Sequence, residues 1–532
     1  MTKETNTAAV ISGGETYLGI EFGSTRIKAV LIDRNHAVLA SGGHNWENRL
    51  EGGFWTYSME DVFAGMQDAY AKLAANVQKT YGVPLTRVGA MGVSAMMHGY
   101  LAFDEKDNLL APFRTWRNTT TGQAADLLTK RFGFNVPQRW SIAHLYQAML
   151  NRESHVDSIT FLTTLAGYIH YRLTGEKVIG IGDGSGMFPI DSIDLTYDAK
   201  MLNSFQQLVQ ESGYGWNISS VLPKLLSAGE AAGHLTPDGA KLVDPTGTLM
   251  SGIPFCPPEG DAGTGMVATN AVRQRTGNVS AGTSVFAMLV LEKALSRYYT
   301  EVDMVTTPAG DPVAMVHCNN CTSDIDAWIR LFGEAATALG AEYDERTLYQ
   351  TMYKKALEGA PDCGGIMTFN YLSGEPVTNL DEGRPLLFRK PDAAFTLANV
   401  MRAHLTSAVA SLRIGMDILA AEHVELDAMT GHGGFFKAEG IGQKIMSAAL
   451  STPVTVMETA SEGGPWGMAV LAAYLMNKSA DEPLSDYLTE RVFRGAKSVT
   501  VSATEEEAAG FAAFIEAYTK SLAVECAAVE AY

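Results

Sequence analysis

The sequence has few cysteines, no long apolar run and no excess of basic charge. Five cysteines among 532 residues do not make a disulfide framework and fit a reducing cytoplasm. No run reaches about 18 apolar residues, which argues against a transmembrane helix. Lys and Arg number 40 against 59 Asp and Glu, a net charge of −19, which argues against non-specific nucleic-acid binding. No helix-turn-helix with a basic face is evident, which disfavours a DNA-binding regulator. GxxxxGK[ST] is missing, so the chain does not read as a P-loop kinase. "GIGDGSG" at 180–186 is glycine-rich but does not fit GxGxxG, so a Rossmann cofactor site is set aside. The opening "MTKETNTAAVISGGET" lacks the apolar core of a signal peptide and reads as a flexible lead-in over residues 1–16.

Cys318-Asn-Asn-Cys321 has CxxC spacing. Zinc would need a second ligand pair, and no CxxC or HxxxH partner is present. A thioredoxin-like context is also missing, so both cysteines read as structural.

What is present is an ordinary globular balance, 46% apolar and 19% charged, in a chain long enough for more than one domain. "YLGIEFGSTRIKAVLID" at 17–33 reads as two strands joined by a tight turn. Gly23, Ser24, Thr25 and Arg26 supply a glycine, two hydroxyls and a cation at its tip, a composition suited to an anion. "AVLASGG" gives a third strand. Val62, Phe63, Met66, Ala69, Tyr70 and Leu73 recur at helical spacing in 59–82, and "VGAMGVSAM" gives a further strand. Strands, helix and strand together form an α/β unit. In the second half "SVFAMLVLEKAL" and "DPVAMVHCNN" predict strands, and 394–423 predicts one long buried helix. Thr504 and Glu507 form a capping box for a last helix with Phe511, Phe514, Ile515, Tyr518 and Leu522 on one face, a docking or oligomer element.

"GIEFGSTRIKAVLID" has a faint echo in "GNVSAGTSVFAMLVLE" at 277–292, where Gly282, Thr283 and Ser284 stand between apolar runs. Two hairpins of one composition suggest two similarly built domains, whose turns would grip a polyphosphate through backbone N–H groups and hydroxyls. "GDAGTGM" places Asp261 at the start of a helix of small residues, where the dipole favours its ionised form and it can accept a proton from a hydroxyl. Glycines in "GHGGFFKAEGIGQ" (431–443) precede a helix and let a flat ring or ribose approach the backbone.

These segments in this order resemble the FGGY carbohydrate kinases, of the actin-like ATPase fold, from about residue 17 to about residue 475. "YIHYRLTGE" (168–176), "LPKLLSAGEAAGHLT" (222–236) and "NYLSGEP" (370–376) add to the match. The resemblance implies two ribonuclease-H-like α/β domains facing a central cleft: a sugar-binding domain at 17–270, an ATP-binding domain at 271–478, and a C-terminal helical extension at 479–532. It implies Asp261 as the general base that deprotonates a sugar hydroxyl for in-line attack on the γ-phosphoryl group. Gly23, Ser24, Thr25 and Arg26 would meet the terminal phosphates of ATP from one side, and Gly282, Thr283 and Ser284 from the other. Gly433, Gly434 and Phe435 would border the adenosine. Mg²⁺ would bridge phosphate oxygens near Glu21 and Asp261, through water. The family usually carries Asp where this chain has Glu21, one methylene longer, which leaves the metal geometry open. A homodimer is usual for the resembling family.

The sugar side lies in "GVSAMMHGYLAFDEKDNLLAPFRTWRNTTTG" (92–122). Met97-His98-Gly99 resembles the Met-His-Gly of xylulose kinases, with His98 as a substrate contact. Many relatives follow Trp with Asp two residues on; here Trp116 is followed by Asn118, which donates as well as accepts. Length and acidity resemble ribulose kinases, so the expected substrate is a ketopentose, with gluconate or a deoxyketose as alternatives. Asp183, Trp140 and Trp466 read as structural. A chaperone ATPase would need a peptide-binding domain after the adenosine segment, and a filament protein would not need His98. A catalytically silent regulator would not need Asp261.

Overall fold

The computed structural model describes residues 3–458 and 463–532. They form two compact units, one of residues 1–272, 297–313 and 462–495, the other of 273–296, 314–461 and 496–532.

In the first unit, Thr16–Phe22, Arg26–Asp33 and Val38–Asn45 run as an antiparallel meander. Ala90–Ala95 pairs parallel with Thr16–Phe22, and Glu259–Gly260 parallel with Ala90–Ala95. Helix Met59–Tyr81 starts where Ser58 Oγ accepts from Asp61 N and ends at Gly82 in the left-handed region. It buries Val62, Met66, Ala69, Tyr70 and Leu73, the stripe expected from helical spacing. A hairpin of Arg49–Glu51 and Phe54–Thr56 was not foreseen.

Helix Gly463–Asn477 packs on strand Thr16–Phe22. It is apolar on every side, the pattern of a buried helix, and buries Trp466, Met468, Val470 and Leu471. Each such side chain contributes about 1.5–3 kcal/mol. This burial draws 463–495 into the first unit, whereas the sequence suggested an ATP-binding segment unbroken to 478. The lead-in is also corrected: Lys3–Gly13 is helical, and Ile11 is buried in the core with Leu73 and Val77.

In the second unit, Thr276–Ala281 pairs antiparallel with Val285–Val290 and parallel with Ala428–His432. Val454–Met457 continues parallel, and Pro312–Cys318 lies beyond Val285–Val290. The central strands thus repeat the plan of the first sheet: a hairpin, then two parallel neighbours on the side of its first strand. Ser498–Val501 pairs antiparallel with Val454–Met457, so the C-terminal extension is not purely helical. Helix Glu505–Ala531 carries the expected capping box and buries Phe511, Phe514, Ile515 and Tyr518, with Leu522 half-buried.

The single helix expected over 394–423 is two, Leu397–Ser407 and Ala410–Ala421. At the break Val409 N donates to Thr406 O at 3.2 Å, a tighter turn than the α-helix allows. Flanking hydroxyls are engaged elsewhere, Ser411 with Tyr371 and Ser407 with Asn370.

Candidate active site

The turn at 23–26 is closed by Gly23 N donating to Arg26 O at 3.0 Å. Its outward carbonyls are all held: Trp46 Nε1 donates to Gly23 O (2.7 Å), Tyr57 OH to Ser24 O (2.5 Å) and Trp46 N to Thr25 O (3.2 Å). The Trp46 and Tyr57 rings stack at 4.1 Å. Among the described residues the amides of Ser24 and Thr25 have no protein partner. Carbonyls bound on one side and amides open on the other make an anion-binding concavity. Arg26 is exposed and lies against Gly43.

The turn at 282–284 follows the same logic with different parts. Gly282 N donates to Ser284 O (2.9 Å), while Thr322 N and Cys321 N, at the start of helix Thr322–Ala338, donate to Gly282 O and Thr283 O, each at 2.9 Å. The amides of Thr283 and Ser284 have no partner among the described residues. Gly433 has φ 103°, and a Cβ there would collide with Ala281 O, so only glycine fits beside the strand that leads into this turn. Gly434 lines a cavity of about 680 Å³ together with Thr322, Asp326, Tyr349, Tyr353 and Lys437. That volume and mixed lining suit a nucleoside. Phe435, expected at the adenosine, is instead fully buried and packs edge-on to Tyr353. Its partner Tyr353 lines the cavity.

Asp261 opens helix Asp261–Ala268, and its Oδ1 accepts from Met97 N (3.2 Å) and Ala262 N (2.9 Å). The residue is accessible to a small solute. Burial still pushes its carboxyl up to about 6, and the backbone N–H donors of Met97 and Ala262 moderate that rise. Three further carboxyls crowd nearby. Glu21 is pushed up to about 8 by burial and by Asp261, and its Oε2 is buried without a partner among the described residues. Asp183 rises to about 7 by burial; Thr164 Oγ1 donates to its Oδ2 at 2.6 Å. Glu259 rises to about 8 by burial and accepts from Gly182 N and Asp183 N. Asp183 thus has the structural bonding expected of it, close to Asp261. Among the described residues no trio of His, Cys, Asp or Glu is arranged to hold a metal ion.

On the sugar side, Met97 is buried, and His98 is buried at φ 71°, a conformation a non-glycine residue adopts only when its surroundings hold it there. His98 Nδ1 lies 3.2 Å from Gly186 O, and the ring stacks on Trp140 with centroids 6.3 Å apart. A Cβ on Gly186 would stand 2.5 Å from that nitrogen, which explains one glycine of the 180–186 run. Asn118 does not present a free amide. Its Oδ1 accepts from Trp55 N, and its Nδ2 donates to Trp55 O and Thr115 O, so it holds the hairpin that Trp55 belongs to. Trp116 is partly exposed, whereas Trp140 and Trp466 are packing residues.

Sequence reasoning missed Trp46, Tyr57, Glu259, Asp326 and Tyr349. No motif marks the two clamp residues, whose role is spatial. Glu259 had a signal, a carboxylate two residues before Asp261.

The family model of the FGGY carbohydrate kinases matches the chain twice, the N-terminal domain over 16–268 and the C-terminal domain over 277–476. A xylulose kinase of Haemophilus influenzae is 22% identical over 477 residues, 86% of this chain and 90% of that protein. A gluconokinase of Bacillus subtilis is 22% identical over 499 residues, 87% of this chain and 88% of that protein. The solved xylulose kinase of Rhodospirillum rubrum superposes with a TM-score of 0.77 at 17% identity, covering 96% of this chain and 98% of the other. Both units are therefore of the actin-like ATPase fold, and no described helix is long and apolar enough to cross a membrane. The chain belongs to the FGGY family of carbohydrate kinases and is an ATP-dependent sugar kinase.

Proposed function

We propose that the sugar is a neutral ketopentose, ribulose or xylulose, and that Asp261 is the base. The observation that carries this reading is the 3.2 Å bond from Met97 N to Asp261 Oδ1, which ties the Met97-His98-Gly99 segment to the carboxylate. Asp261 is accessible, held by two backbone donors, and keeps Oδ2 to accept the hydroxyl proton. His98 and Trp116 contact the sugar, and Asn118 shapes its pocket by holding Trp55.

The amides of Ser24, Thr25, Thr283 and Ser284 hold the phosphate groups, with Arg26 adding charge. The cavity at Gly434 takes the adenosine. A magnesium ion would fit beside Glu21 and Asp261, held through water, where the buried Glu21 Oε2 has no hydrogen-bond partner among the described residues. When bound it neutralises charge on the transferring phosphoryl group. The working form is a homodimer, after the family resemblance, and the free thiols at all five cysteines suit a reducing cytoplasm.

The test is ADP release from MgATP with D- and L-ribulose, D- and L-xylulose, gluconate, L-fuculose, L-rhamnulose and glycerol. Turnover confined to one or two ketopentoses supports the reading. Turnover only with gluconate or a deoxyketose overturns the substrate and keeps the mechanism.

A further inference from the structure

Two motifs remain outside the mechanism, Cys318-Asn-Asn-Cys321 and Asn370–Pro376, and the fold brings them together. Glu375 is fully buried, and its carboxylate accepts from Asn319 N and Asn320 N, each at 3.3 Å, and from Asn320 Nδ2 at 3.2 Å. Asn320 Oδ1 in turn accepts from Leu372 N (3.0 Å) and Ser373 N (3.1 Å), and Asn319 Nδ2 donates to Gly374 O (2.8 Å). The next two residues are Cys321 and Thr322, whose amides hold the carbonyls of Thr283 and Gly282. Asn370 Nδ2 fixes Cys321 O at 3.1 Å.

A buried carboxylate is costly unless its oxygens are well bonded. A purely apolar filler would close this corner without that cost, but it would not orient two consecutive backbone amides. We infer that Glu375 is a positioning residue for phosphoryl transfer: through Asn319 and Asn320 it fixes the Cys321 and Thr322 amides, and so aims the free amides of Thr283 and Ser284. The inference rests on the reading that the 282–284 turn holds phosphate. The asparagines between the cysteines, and not the thiols, are then the reason for the motif. Both thiols are buried and pushed up by that burial, as inert cysteines are.

The test is steady-state kinetics of Glu375→Gln in the full-length protein. The amide keeps the shape but turns a donor toward donors. kcat/KM for ATP is expected to fall at least tenfold, with KM for the sugar within twofold of wild type. Wild-type kcat/KM for ATP with only a lowered melting temperature would overturn the inference, leaving Glu375 a packing residue. Should Glu375→Gln fail to fold, Asn319→Ala at an exposed position removes one clasp bond. A threefold or larger fall in kcat/KM for ATP supports the positioning role, a latch on the turn, and no change overturns it. Thr283→Pro, which removes one of the two amides that alanine would keep, run in parallel and checked for an unchanged melting temperature, separates the two readings. If that variant has wild-type ATP kinetics, the phosphate reading of the turn fails and the latch with it. If it is impaired while Glu375→Gln is not, only the latch fails.

Discussion

Asp261→Asn removes the proposed base while leaving its bonds. Asparagine Oδ1 still accepts from Met97 N and Ala262 N, so the start of helix Asp261–Ala268 keeps its geometry. The altered atom is Oδ2, the one left to take the hydroxyl proton. General-base catalysis contributes about 10²–10⁴-fold, or about 3–5 kcal/mol of barrier, so kcat should fall by that factor. ATP affinity should hold, because the cavity at Gly434 is built from other residues. The pH profile gives an independent check. A base acts only when deprotonated, and the Asp261 carboxyl is raised from 3.8 to about 6. Wild-type kcat/KM for the sugar should therefore fall about tenfold per unit below pH 6 and level off above it, and the variant should lose that limb. Coupled ADP release over pH 5–8, with calorimetric titration of ATP, measures both. A kcat within tenfold of wild type, with ATP binding and fold intact, would refute the assignment.

Three further outcomes are expected. Gly464→Ala puts a Cβ against Glu21 Oε2 and should cost about 1–3 kcal/mol by overpacking, seen as a lower melting temperature together with reduced kcat. Tyr57→Phe loses one hydrogen bond to the 23–26 turn, worth about 0.5–1.5 kcal/mol in urea unfolding, and should raise KM for ATP. Burial raises the Glu259 pKa from 4.5 to about 8, so the folded state holds a proton there that the unfolded chain has released. Its contribution to stability is full below pH 4.5 and is lost as pH rises to 8; urea midpoints at pH 5 and 8 should show the drop, and Glu259→Gln should flatten it.

Much of the fold was legible because its signals are local. Alternating and continuous apolar runs marked the hairpin at 17–33, and the stripe from Val62 to Leu73 marked its helix. The capping box at Thr504 and Glu507 is a pattern of four residues and was read directly. What failed depends on distant partners. Ile11 folds the lead-in onto a core whose other members lie far along the chain. At the break near Val409 the flanking hydroxyls of Ser411 and Ser407 bond to Tyr371 and Asn370, contacts that no helical period reports. At the site, the turn residues and Asp261 were visible as types suited to their chemistry. Asn118 and Phe435 were assigned ligand contacts, and the structure shows the first bonded to backbone and the second buried. Residue type alone does not distinguish a side chain that touches a ligand from one that holds its neighbour.

The faint repeat shows why a shared design can leave little trace in sequence. Each turn needs a glycine, small hydroxyl residues and a strand on either side, and those features are what "FGSTR" and "AGTSV" share. Each turn also needs its carbonyls held from behind so that its amides stay open. In the first unit Trp46 and Tyr57 supply the donors; in the second the amides of Cys321 and Thr322 do. A side-chain clamp and a helix start have no residue in common, so the functional half of the repeat is invisible in an alignment of letters. The two clamps should also fail differently. Tyr57→Phe deletes a donor outright, whereas no substitution at Thr322 short of proline removes its amide, and that turn can be loosened only from further back, at Asn320 or Glu375.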